Sequence, residues 1–84
     1  MAAAGERLTL LGTLKGHTDG VRGVAWVGGD RVVSASEDAS LKLWSVSEQR
    51  LLGTFEGHAR GVYCVCWLGD GRIASGGGDN TVKI

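Results

Sequence analysis

Proline is absent from this sequence, its formal charge is zero, and none of its apolar runs reaches membrane-spanning length. The absence of proline beside fifteen glycines points to many tight turns and few rigid ones. Nine Lys/Arg against nine Asp/Glu leave no basic stripe, which argues against nucleic acid or an anionic membrane as main partner. The same balance removes charge repulsion as a barrier to self-association. Two cysteines, Cys64 and Cys66, are too few for a disulfide scaffold. Two positions apart on a strand, they would share one face about 6.5–7 Å apart, at the edge of bridging range. Their apolar run predicts buried, reduced thiols. No CxxC motif or histidine cluster joins them, so neither a metal nor another cofactor is expected. The opening "MAAAGERL" lacks a long apolar core and carries Glu6, so it does not read as a signal peptide. A soluble, reducing, cytoplasmic setting is the expectation.

What the chain does have is one unit written twice. Gly16-His17 recurs as Gly57-His58, 41 positions on. The same offset carries Val21 to Val62, Trp26 to Trp67, Ser34 to Ser75, Asp38 to Asp79 and Lys42 to Lys83, with no insertion. Upstream, "LLGTLKGH" at residues 10–17 matches "LLGTFEGH" at 51–58. Runs such as "VRGVAWV" and "RVVSAS" are short, β-branched and bounded by Gly-Gly-Asp, Gly-Asp-Gly and Glu-Asp-Ala-Ser turns. No window holds a helical period beyond two turns. The pattern predicts four strands in the first unit, at residues 21–27, 31–36, 41–45 and 50–56. It predicts three in the second, at 62–68, 72–76 and 81–84. The counterpart of the fourth strand stands at residues 9–15, ahead of the first unit.

With Gly16-His17, Ser34, Asp38 and Trp44, and again Gly57-His58, Ser75 and Asp79, the sequence resembles the WD-repeat β-propeller family from Leu8 to Ile84. Its period lies within the 40–45 residues of a four-stranded blade. Two departures are visible: Ser45, not Asp, follows Trp44, and the second unit has no tryptophan matching Trp44. The resemblance implies an all-β fold of two WD-type blades. It also implies that the third-strand Trp donates to Ser, that Ser meets His, and that Asp holds His. His17, Ser34, Asp38 and Trp44 then form one buried hydrogen-bond network, and His58, Ser75 and Asp79 a shorter one.

Other chemistries compete for these residues. His17, Ser34 and Asp38 could be the base, nucleophile and orienter of a hydrolase. Yet the trio occurs twice at one spacing, and no Gly-x-Ser-x-Gly elbow exposes the serine. "SGGGD" lacks the Gly-Lys-Ser/Thr of a phosphate loop. Trp26 and Trp67 could stack a base or a sugar, but flanking valines favour packing between blades.

Two blades cannot close a ring, since propellers take about four to eight. The sequence therefore predicts a single two-blade unit over residues 1–84: blade 1 at 16–56, the first three strands of blade 2 at 57–84, and residues 9–15 as the outer strand of blade 2 in another copy. Such head-to-tail contacts close into a homo-oligomer, with a tetramer of eight blades favoured over a trimer of six. Residues 3–84 make two whole periods, which suggests design or excision from a longer propeller, a natural minimal gene being the other origin. The family resemblance implies a non-catalytic scaffold for protein contacts. Its binding rim would hold Thr18, Asp19, Arg22 and Glu37, then Ala59, Arg60, Tyr63 and Gly78. Arg22 and Tyr63 are of types favoured at hot spots. The alternatives are ordinary solvated loops, a self-assembling unit whose only partner is itself, and, distantly, a hydrolase.

Overall fold

The computed structural model describes residues 8–84; the stretch expected not to be a signal peptide lies mostly outside them. Seven strands form two antiparallel sheets. The first sheet holds β1 (Val21–Trp26), β2 (Arg31–Ser36), β3 (Ser40–Ser45) and β4 (Arg50–Glu56) in that order. The second holds β5 (Val62–Gly69), β6 (Arg72–Gly77) and β7 (Val82–Lys83). Each of the seven strands predicted within the two units is present to within a residue or two, the largest change being a last strand of two residues in place of four.

Turn chemistry sets these boundaries. Gly28 and Gly29 take φ of 94° and 54° between β1 and β2, and Gly69, Asp70 and Gly71 take 85°, 54° and 73° between β5 and β6. Glycine reaches these angles without a Cβ clash. Between β2 and β3 the left-handed position falls on Ala39 at 72°, and between β6 and β7 on Asn80 at 66°. Asparagine tolerates that region and alanine does not, so blade 1 carries local strain of about 1–2 kcal/mol at Ala39.

The two sheets stack as neighbouring blades. Val33, Ala35 and Leu41 of the first sheet bury against Val62, with Val27, Leu43, Val65 and Ile73 packed around them. Glycines let the backbones approach: a Cβ on Gly23 would stand 3.5 Å from Cys64 Cα, and one on Gly61 would stand 3.0 Å from Glu37 Cα. Trp67 lies over Gly28, and its ring meets the edge of Trp26 with centroids 5.8 Å apart. Trp67 therefore sits at the junction between blades, while Trp26, edge-on to it and donating its indole N–H to the Gly29 carbonyl, stays 63% exposed.

One sequence expectation is overturned. Cys64 and Cys66 are free and exposed, not buried. Their strand alternates correctly, but burial on a blade comes from the next sheet stacked on it, and among the described residues no sheet covers that face. Residues 9–15 form no strand within the chain. Leu10 and Leu11 are 83% and 85% exposed, and the Leu11 carbonyl accepts a bond from Gln49 Nε2.

Candidate functional site

The repeated polar residues converge at the same place in each sheet. In blade 1, β2 carries Ser34, β3 carries Trp44, the turn between them carries Asp38, and His17 comes from the segment before β1. The Trp44 indole N–H donates to Ser34 Oγ at 2.8 Å. Ser34 Oγ lies 2.6 Å from His17 Nε2, and His17 Nδ1 lies 2.8 Å from Asp38 Oδ2. A single proton ordering satisfies the chain: the serine hydroxyl donates to Nε2, and Nδ1–H donates to the carboxylate. Asp38 also accepts from the Thr18 and Ser40 backbone N–H groups and from the Ser40 hydroxyl.

Blade 2 repeats the arrangement without an indole. Ser75 Oγ is 2.8 Å from His58 Nε2, and His58 Nδ1 is 3.1 Å from both Asp79 oxygens. The Ala59 N–H, Thr81 N–H and Thr81 hydroxyl complete the Asp79 shell. The two histidine side chains are 5% and 1% exposed. Among the described residues, no buried side-chain polar atom lacks a partner.

Both carboxyls are held well below the usual carboxylate range. For Asp38 the largest single influence is burial, which opposes ionisation, but it is outweighed by the hydrogen bonds from Ser40, His17 and the Thr18 N–H. For Asp79 the Thr81 hydroxyl leads, followed by the Ala59 N–H, with burial opposing and His58 adding to the depression. Each aspartate is thus an ionised hub that pins the second turn, the third strand and the preceding loop together.

Serine, histidine and carboxylate here have the spacing of a hydrolytic triad, but the chemistry is blocked in blade 1. Ser34 is buried, and the side of its oxygen not facing His17 receives the indole N–H. An attacking oxygen needs an open approach and donors for the developing oxyanion.

Three bonded residues, Ser40, Thr81 and Asp30, had a weak sequence signal or none. Ser40 and Thr81 share the 41-residue offset and stand two positions after each aspartate, a spacing suited to side-chain-to-turn bonds. Asp30 has no counterpart, since Gly71 occupies its place. It accepts from the Ser45 and Ser47 hydroxyls, both at 2.7 Å, and bonds to no member of the two networks. These serine hydroxyls, Ser47 first, depress its pKa. Ser45, the residue that departs from the family dipeptide, is therefore bonded to a carboxylate from the neighbouring turn.

The expected rim residues divide. Arg22, Glu37 and Tyr63 come together: Arg22 Nε is 3.3 Å from Glu37 Oε1, and the guanidinium carbon stands 5.6 Å from the Tyr63 ring centroid. Gly78 packs beneath that ring, since a Cβ there would meet it at 3.2 Å. Thr18 and Ala59 spend their N–H groups on Asp38 and Asp79. Asp19 caps the Gly20 N–H, and Arg60 is exposed.

Comparison with known proteins places this architecture. A family model described as WD domain, G-beta repeat matches residues 8–45 and 49–84. The SIR4-interacting protein SIF2 of Saccharomyces cerevisiae is 43% identical over 36 residues, covering 43% of this chain and 7% of that protein. The WD repeat-containing protein pop1 of Schizosaccharomyces pombe is 57% identical over 35 residues, covering 42% of this chain and 4% of that protein. Among solved structures, U3-55K superposes with a TM-score of 0.80 at 36% identity, over 86% of this chain and 23% of its own. The computationally designed Ika4 protein gives 0.77 at 30% identity, over 92% of this chain and 47% of its own. The chain therefore spans less than a tenth of the curated relatives it matches, at 7% and 4% of their lengths. Two sheets in propeller-blade order, each locked by its own Ser–His–Asp network, belong to a chain of the WD40 repeat family.

Proposed function

We propose that the chain is a non-catalytic protein-binding module whose two blades join with other copies into a propeller ring. WD40 repeat proteins generally serve as protein-interaction scaffolds. The observation that carries the binding reading is the Arg22–Glu37–Tyr63 cluster. It spans the junction of the two blades on one rim, and both Arg22 and Tyr63 remain about half exposed. A cation over an aromatic face, with a carboxylate beside it, offers a peptide a flat apolar surface flanked by both charges.

The assembly reading is supported by the unpaired residues 9–15. Their counterpart at 50–56 forms β4, the outer strand of blade 1. Among the described residues blade 2 has no such strand, and one edge of β7 is unpaired. Beside that edge runs a groove of about 730 Å³ whose walls include Leu43, Phe55, Trp67, Ile73, Lys83 and Ile84. Residues 9–15 of a second copy would pair with β7 and seat their leucines there. Four copies in eight blades are favoured over three in six.

Peptides selected on the intact chain from a displayed library test the rim. Replacing Arg22 and Tyr63 together by alanine is expected to weaken the selected peptides about 30-fold or more, as removal of two hot-spot side chains does. Arg60→Ala should leave them bound. Binding that survives the double substitution would move the partner surface elsewhere.

A further inference from the structure

The two flat faces left open by this chain are related by its own repeat. The junction inside the chain buries the front of blade 1 against the back of blade 2. Shifting every contact by 41 residues turns it into a contact between the front of blade 2 and the back of another blade 1. The exposed residues are those such a contact would cover. Leu41 is 4% exposed at the internal junction, while its equivalent Val82 is 74% exposed. Val62 is fully buried there, while its equivalent Val21 is 52% exposed. Gly28 lies under Trp67, whereas its equivalent Gly69 has the same left-handed backbone and nothing within 4 Å of its Cβ position. The ring that would cover Gly69 by this operation is Trp26, the more exposed member of the tryptophan pair.

Resting on the self-assembly reading above, we propose that the blade 2 face bearing Cys64, Cys66, Gly69 and Val82 is the docking surface for the Val21–Val24–Trp26 face of a second copy of this chain. The centre of this contact differs from the internal one in a single respect. Inside the chain, Gly23 lies against the Cys64 backbone with no side chain between them. In the shifted contact Cys64 takes the place of Gly23, so its thiol is covered by the backbone around Gly23 of the second copy, and the two blades stand further apart there than the internal pair, whose spacing glycine sets. Both thiols then lie inside the assembly, and the apolar rows meet at interior packing density.

Thiol alkylation with iodoacetamide, read by mass spectrometry beside native mass, tests this. In the assembled wild-type chain, Cys64 is expected to react at least about tenfold more slowly than in the chain unfolded in guanidinium, since a covered thiol is reached only through opening. Val82→Asp, at a position open in the single chain, should return the mass to that of one chain and restore fast alkylation. Trp26→Gln on the opposite face should do the same, and it serves if the first variant fails to fold. An oligomer whose Cys64 reacts as fast as the unfolded chain overturns this interface and leaves self-assembly standing. A wild-type chain of single mass overturns both.

Discussion

Asp38→Ala is expected to cost about 3 kcal/mol of folding stability, because it strands the His17 imidazole and the backbone donors of Thr18 and Ser40 without an acceptor. Against the 5–15 kcal/mol that small domains possess, that is a large share, and it should appear as a much lower denaturation midpoint. Asp79→Ala should cost less, because its network lacks an indole and its histidine bond is split between two oxygens. Equal losses would mean that Trp44 adds nothing to its network. The same carboxylates set the acid limb. Their folded pKa values lie below the usual 3.8, so their contribution is complete above that value and disappears as pH falls beneath it. Melting temperature should therefore hold steady from neutral pH to about pH 5 and drop below about pH 4. Asp38→Asn should flatten that drop.

Deleting residues 1–15 should abolish assembly while leaving blade 1 intact. Each leucine buried by strand addition contributes about 1.5–3 kcal/mol. Two of them amount to association on the order of 10²–10⁴-fold tighter, before any β7 hydrogen bonds are counted. Leu10→Asp combined with Leu14→Asp should act alike without shortening the chain. Sedimentation of either variant as one chain, with the far-ultraviolet β signal kept, is the expected result. An oligomer unchanged by the deletion would assign closure to the flat faces alone.

The legible parts of the molecule were those that the repeat encodes. His17, Ser34 and Asp38 share a 41-residue offset with His58, Ser75 and Asp79, and the structure brings each trio within hydrogen-bond distance. Ser40 and Thr81 carried the same offset, but a hydroxyl in a polar turn looks like any other turn residue until the aspartate beside it is seen to need a donor. Asp30 was illegible, because it has no repeat partner and its bonds to Ser45 and Ser47 cross from one turn to another. The exposure of Cys64 and Cys66 was missed for a different reason. Alternation fixes which way a strand residue points, and a neighbouring sheet decides whether that side is wet. Gly23 and Cys64 occupy one position in the repeat, yet only the first is covered within the chain.

In the proposed assembly, other copies cover the open flanks of the two sheets. Absolute mass of the intact chain in solution, by native mass spectrometry or light scattering at micromolar concentration, tests it most directly. The prediction is a single closed species at four times 8.7 kDa, or at three times. A cooperatively folded species at 8.7 kDa across that concentration range contradicts it.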